Sequence, residues 1–215
     1  MRRVTIDALR PAAAVLAEAV TILLAGGVVA MPTDTLYGLA ADPWSAAAVG
    51  RVFAVKGRPA DRAMPLVAAD VDQVVRQIGP LSEVALRLAS RYWPGPLTLL
   101  VARPPSMPAD VTGGRGEIGV RVPAHTVPRE LCRACGRLLT ATSANLSGEP
   151  ASNDPDDVER SLGMTGDMGV DLLLDAGRTQ GGAPSTIVDV TGRDVRLVRP
   201  GAITWDDVQA CMQRG

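Results

Sequence analysis

Four cations fall within twelve residues of one another, Arg51, Lys56, Arg58 and Arg62, against a single acid, Asp61. Such a cluster suits a polyphosphate or another acidic ligand, with lysine as a compact point charge and arginine as a two-pronged fork. It also suits a solvated basic turn, because cations complement the C-terminal end of a helix. Lys56 tips the balance toward a ligand. It is the only lysine among 22 basic residues. In a chain so biased toward arginine, a lysine that persists marks a place where a guanidinium does not fit, since the two groups differ in size, donor geometry and hydration.

Two hydroxyl-rich segments each follow a short apolar run. Pro32-Thr33-Asp34-Thr35-Leu36-Tyr37-Gly38 comes directly after Val28 to Met31, and Thr140-Ala141-Thr142-Ser143-Ala144-Asn145-Leu146-Ser147-Gly148 after Leu138-Leu139. Strand ends that open into polar loops are where α/β sheets commonly hold ligands. Thr, Asp, Ser and Asn also build capping turns, so either role is open for both segments. The second has neither the spacing of a P-loop nor a Gly-x-Gly-x-x-Gly pattern. Gly113-Gly114-Arg115-Gly116 reads as a flexible loop. Cys132 and Cys135 form a C-x-x-C, but a zinc site needs two more ligands and only Cys211 and His125 remain, so the pair reads as structural. His125 is the only histidine and has no Ser or Cys constellation around it that would make a triad.

The elements that must position these groups alternate between helix and strand. Helices are expected over Pro11–Ala25, with Leu16, Val20, Leu23 and Leu24 on one face, and over Ser45–Val55, with Val49, Val52 and Phe53 facing inward. Further helices are expected over Val71–Ile78, Ser82–Tyr92, Pro128–Cys135, Pro155–Leu162 and Thr204–Met212. Strands are expected at Val28–Met31, Pro65–Ala69, Leu97–Val101, Ile118–Val122, Leu138–Thr142, Leu172–Leu174, Thr186–Val190 and Val195–Val198. The Pro- and Gly-rich stretch Arg103–Gly116 is too irregular to belong to the core. Several late strands are neighbours in sequence, which favours a mixed sheet over a purely parallel one. The fold class is α/β, a twisted mixed parallel and antiparallel sheet flanked by helices, with residues 1–215 forming one domain.

Composition narrows the class of function. The chain has 215 residues, 47% of them hydrophobic and only 3% aromatic, with a formal net charge of −1. The core must be built from Ala, Val, Leu and Ile, and a generally basic nucleic-acid coat is excluded. Three cysteines cannot form a disulfide framework, which points to a reducing compartment. The uncharged run Ala19–Thr33 has 15 residues, short of the roughly 20 that cross a bilayer, and Gly26-Gly27 interrupts it. A cytoplasmic protein without a membrane segment is expected.

Eight segments taken in order resemble the YrdC/TsaC threonylcarbamoyl-AMP synthases: PTDTLYGL (Pro32–Leu39), KGRP (Lys56–Pro59), PLV (Pro65–Val67), WPGPLTLLV (Trp93–Val101), VRVPAH (Val120–His125), TSANLSGEP (Thr142–Pro150), STIVD (Ser185–Asp189) and VRPGAI (Val198–Ile203). They span about residues 10 to 205 and point to the short, single-domain form of the family, the longer relatives carrying an additional C-terminal domain. The resemblance implies the YrdC-like fold with a positively charged concave face. It also implies a reaction in which L-threonine, bicarbonate and ATP give threonylcarbamoyl-AMP and pyrophosphate, the product passing to a tRNA threonylcarbamoyl transferase complex.

By the same resemblance Lys56 and Arg58 are the catalytic residues. They bind ATP together with Arg62, Ser143, Asn145, Asn153 and Arg199, while Thr35, Tyr37, Arg121 and Ser185 surround threonine. Arg121 suits the amino-acid carboxylate as a two-pronged salt bridge. Mg²⁺ accompanies ATP, and no protein metal site is expected. Met64 and Ala69 stand near places where some longer relatives carry Asn and His. Two rival functions share these features. One is carbamoyl-adenylate chemistry on another substrate. The other is an RNA-binding module using the basic concave face, which the neutral charge and scarce stacking aromatics reduce to weak RNA binding at most.

Overall fold

Short polar caps open most of the described helices. In a computed structural model that describes residues 1–57, 62–163 and 169–213, the Ser45 hydroxyl accepts from the Ala48 N–H and opens helix α2 (Ala46–Lys56), which Gly57 ends in the left-handed conformation at φ 56°. Asp70 caps α3 (Val71–Ile78) and Ser82 caps α4 (Glu83–Tyr92) in the same way. The Nδ1 of His125 accepts from the Val127 N–H and starts α5 (Thr126–Cys135), two residues ahead of the proline expected to lead it. Helices α1 (Ala13–Leu24), α6 (Pro155–Leu162) and α7 (Trp205–Gln213) lie within two residues of their expected bounds. In α1 the buried positions are Ala19 and Leu23, and Leu24, at the last residue of the helix and a third of a turn away, is 54% exposed rather than part of the inward face.

The strands are β1 (Arg2–Thr5), β2 (Val29–Met31), β3 (Gly38–Ala40), β4 (Leu66–Val67), β5 (Leu97–Ala102), β6 (Glu117–Arg121), β7 (Leu139–Thr140), β8 (Thr142–Ser143), β9 (Leu172–Asp175), β10 (Thr186–Asp189) and β11 (Arg196–Arg199). They divide between a five-stranded sheet, ordered β1-β9-β2-β3-β8, and a six-stranded sheet, ordered β11-β10-β5-β6-β4-β7. Both mix parallel and antiparallel pairs, as in β9–β2 and β2–β3, or β10–β5 and β5–β6. The mixed α/β class therefore holds, with the ladder split in two where one sheet was expected. The stretch expected as a single strand over 138–142 makes the split. Ala141 donates to the Pro65 carbonyl and steps the chain from β7 in one sheet to β8 in the other.

Two strands carry no sequence signal. β1 (RRVT) is short and charged, and forms only because its backbone pairs with β9. β3 (GLA) lacks β-branched residues and forms by folding back on β2. The connection 103–116 also differs from expectation. Met107, Val111 and Thr112 are buried, and the segment joins the core because its polar groups are met: Met64 donates to the Val111 carbonyl, and the Thr112 hydroxyl reaches the Ala109 and Arg115 carbonyls. Met64 itself is wholly buried in one apolar cluster, and Ala69 in a second one.

Candidate functional site

Several polar side chains converge at one end of the six-stranded sheet. Arg121 is the last residue of β6, Arg199 the last of β11, Ser185 immediately precedes β10, and Thr98 lies in β5. The Thr98 and Ser185 hydroxyls meet at 2.8 Å, and Arg199 donates to the Ser185 carbonyl at 2.7 Å and hydroxyl at 3.1 Å. Gly201 makes this packing possible: a Cβ there would lie 2.3 Å from the Pro184 carbonyl oxygen and 2.5 Å from the Thr186 nitrogen. Arg121 is held from the other sheet. Its Nη2 donates to Asp34, in the loop between β2 and β3, and the two side chains are only 9% and 13% exposed. The Arg121 Nε is buried and, among the described residues, bonds to nothing. An orphan donor of this kind costs stability unless a ligand meets it.

The electrostatics agree. Burial lowers the Arg121 pKa against the pull of Asp34. Arg199 is lowered by burial and then by the charge of Arg121, so the two guanidiniums face one field. Burial also lowers His125, with Asp34 opposing. Because Nδ1 of His125 accepts the Val127 N–H, its neutral ring carries the proton on Nε2. The arrangement is a concentrated positive site with one internal carboxylate, built to receive an anionic group.

A second group lies beside it. Gly38 pairs with Ser143 across β3 and β8, and the Tyr37 carbonyl accepts the Ala144 N–H, so the loops 32–37 and 143–149 leave the sheet together. Lys56, only 4% exposed, points its Nζ at the Ser143 carbonyl, the Asn145 carbonyl at 2.8 Å and Asn145 Oδ1 at 3.3 Å. The Asn145 amide spans the loop, donating to the Leu146 and Glu149 carbonyls. Lys56 and Asn145 thus shape the loop that presents Ser143. A phosphate contact from Lys56 would have to replace one of these oxygens.

The remaining expected residues are distributed as follows. Thr35 belongs to the 33–37 loop, its carbonyl accepting from the Thr179 hydroxyl at 2.6 Å and the Gly181 N–H at 2.9 Å. Asn153 donates to the Thr179 carbonyl at 3.0 Å, which ties it to the same loop. Tyr37, expected around threonine, is buried: its hydroxyl donates to the Gly177 carbonyl and accepts from the Ala176 N–H, and its pKa is pushed up to about 12 by burial. Arg62 is exposed, and Arg58 lies outside the described residues. Arg51 leaves the basic cluster altogether, its guanidinium bonding Asp171 and the Gly169 carbonyl. Cys132 is fully buried, with its thiol on the Val67 carbonyl, and burial raises its pKa, as it raises that of Cys135 to about 11.

The model of the Sua5/YciO/YrdC family, described as telomere recombination, matches residues 21–201. This chain belongs to the Sua5/YciO/YrdC family. It is 38% identical to the threonylcarbamoyl-AMP synthase of Marinobacter nauticus over 192 residues, covering 88% of this chain and 99% of that one. It is 35% identical to the enzyme of the same name from Pyrococcus abyssi over 184 residues, 86% of this chain and 53% of that one. The crystal structure of P. abyssi Sua5 complexed with L-threonine superimposes with a TM-score of 0.91 at 32% identity, covering 98% of this chain and 61% of that one. The chain thus spans about half the length of the P. abyssi relative.

Within the Sua5/YciO/YrdC frame, the structure brings Arg199 onto Ser185 and into the field of Arg121, joining a residue expected at the nucleotide to two expected around threonine. Asp34, Thr98 and His125 were not among the expected site residues. Asp34 carried a usable signal, as the one acid in a hydroxyl-rich loop. Thr98 carried none, because a threonine inside a strand is ordinary there.

Proposed function

We propose that this protein condenses L-threonine, bicarbonate and ATP into L-threonylcarbamoyl-AMP and pyrophosphate. The observation that carries the reading is the buried Arg121 with its unmet Nε beside Arg199 and Ser185, one loop away from the segment held by Lys56. The end-to-end similarity to a protein named threonylcarbamoyl-AMP synthase supports it. In this reading the threonine carboxylate binds Arg121, with Ser185 and the Thr35 loop around it. The ammonium loses two protons as it forms the carbamate, one of them leaving in the water released from bicarbonate. A carbamate oxygen then attacks the α-phosphorus, and pyrophosphate departs.

Both reactants are anionic, so positioning and charge do most of the work. Arg199, Arg58 and the exposed Arg62 supply charge to the phosphates. Ser143 meets the nucleotide from the loop that Lys56 and Asn145 hold, and Asn153 borders it. Lys56 contributes its charge from behind that loop. The nucleotide would be taken as MgATP, the ion offsetting phosphate charge alongside these arginines, with no protein side chain assigned to hold it. The product is passed to a tRNA threonylcarbamoyl transferase complex. A cytoplasmic setting fits this role, and no described helix is long and apolar enough to cross a membrane.

Pyrophosphate release from ATP in bicarbonate buffer, with and without L-threonine and with serine and glycine as controls, tests the reading. Threonine-dependent release with a threonylcarbamoyl-AMP mass peak is expected. ATP turnover that ignores threonine would overturn it in favour of another carbamoyl acceptor. Salt-dependent RNA affinity without any turnover would put an RNA-binding role in its place.

A further inference from the structure

The Arg121–Asp34 pair has a feature that a plain structural salt bridge lacks. Asp34 satisfies only Nη2, while the neighbouring Nε–H of the same guanidinium is buried and unmet. A ligand carboxylate has a donor waiting for it there, at the side of Asp34. In a free α-amino acid the ammonium is attached to the carbon that bears the carboxylate. A carboxylate seated on the Arg121 Nε therefore brings its own ammonium next to the Asp34 carboxylate.

We infer that Asp34 is the specificity residue that accepts the α-ammonium of the substrate, exchanging its internal partner Arg121 for the ligand's positive end. This rests on the reading of the site as one for a free amino acid. Charge balance favours the exchange. Asp34 is the one carboxylate that serves Arg121, while Arg199 adds a second, repelling guanidinium. A zwitterion adds a carboxylate for the arginines and an ammonium for Asp34, so one ion pair becomes two and no buried charge is left unpaired. An acid without the ammonium would take Arg121 and leave Asp34 buried without a cation. The site is thereby selective for α-amino acids over their hydroxy-acid counterparts. His125 does not compete as the acceptor, because its Nδ1 is committed to the Val127 N–H and its other nitrogen carries the proton.

Calorimetric titration of L-threonine and of 2,3-dihydroxybutanoate, the same molecule with hydroxyl in place of the amine, tests this on wild-type protein and on Asp34→Asn. Wild-type protein should bind threonine at least about 10-fold more tightly than the hydroxy acid, a charge-assisted hydrogen bond being worth about that much. In Asp34→Asn threonine should weaken by about 10- to 100-fold, with the hydroxy acid unchanged or tighter. Equal affinity of wild-type protein for the two ligands overturns the inference without any variant, which covers the case of a variant that does not fold. Equal weakening of both ligands in Asp34→Asn also overturns it and makes Asp34 a support for Arg121 alone. If threonine does not bind wild-type protein but another α-amino acid does, and loses affinity in Asp34→Asn, the inference stands and the threonine reading falls. If no α-amino acid binds, both fall.

Discussion

The ammonium of Lys56 is bound by both oxygens of Asn145, the main-chain carbonyl at 2.8 Å and the side-chain Oδ1 at 3.3 Å, 89 residues away in sequence. Three donors on a tetrahedral nitrogen can serve converging carbonyls, whereas a planar guanidinium would collide with them. The single lysine of the chain is explained by this cage.

Replacing Lys56 by Met should leave the Asn145 carbonyl and Oδ1 without their donor, at about 1–3 kcal/mol each, and lower the midpoint of thermal unfolding. Threonine-dependent pyrophosphate release should fall at least about 100-fold, and Lys56→Arg should not restore it. Full activity in Lys56→Arg would make the lone lysine incidental.

Arg121→Gln strands Asp34 and should destabilise the protein by about 3–5 kcal/mol in urea unfolding. Adding Asp34→Asn to it should recover part of that loss, because the buried charge is then gone. Where the single variant folds, the apparent KM for threonine should rise by about 100-fold with that for ATP little changed. A selective loss of ATP binding would move Arg121 to the nucleotide.

Burial holds His125 below its ordinary value of 6.5. As pH falls through that value the unfolded chain takes up the proton first, so the stability contributed by the neutral ring is complete above it and declines below, until the folded ring also protonates. Protonation at Nδ1 also removes the acceptor that caps α5. His125→Asn keeps a capping oxygen and should flatten the fall in melting temperature between about pH 7 and pH 5. An unchanged slope would assign the effect to other groups.

Gly201→Ala places a methyl group 2.3 Å from the Pro184 carbonyl oxygen. The 184–186 segment must move, carrying Ser185 away from Arg199 and Thr98. A loss of about 2–4 kcal/mol in stability is expected. Threonine-dependent turnover should fall more than stability alone accounts for, and wild-type turnover at a temperature where the variant is folded would refute the role of this close approach.

Cys132→Ser combined with Cys135→Ser keeps the hydrogen bond to Val67 and should leave turnover near the wild-type level, at a stability cost of about 2 kcal/mol for burying hydroxyls. Zinc found in the wild-type protein by elemental analysis and lost in this variant would show that the pair is a ligand set.

Much of this protein was determined by sequence alone, and for local reasons. Ser45, Asp70, Ser82 and Asp154 announce helix starts because a capping oxygen acts within three residues of itself. The ordered run of short motifs carried the family, and the lysine count singled out Lys56. What the sequence left undecided depends on partners far along the chain. β1 is a strand only because β9, some 170 residues later, offers it a ladder, and the 138–142 stretch divides because Ala141 bonds Pro65. Arg51 and Lys56 look alike as members of one basic cluster, yet five positions on a helix are more than a full turn, so one side chain reaches Asp171 and the other the 143–145 loop. Tyr37 and Asp34 sit three apart in one motif, but the fold buries the tyrosine against Gly177 and turns the aspartate onto Arg121. Charge pairing and burial are properties of three-dimensional neighbourhood, and only the tertiary structure could assign them.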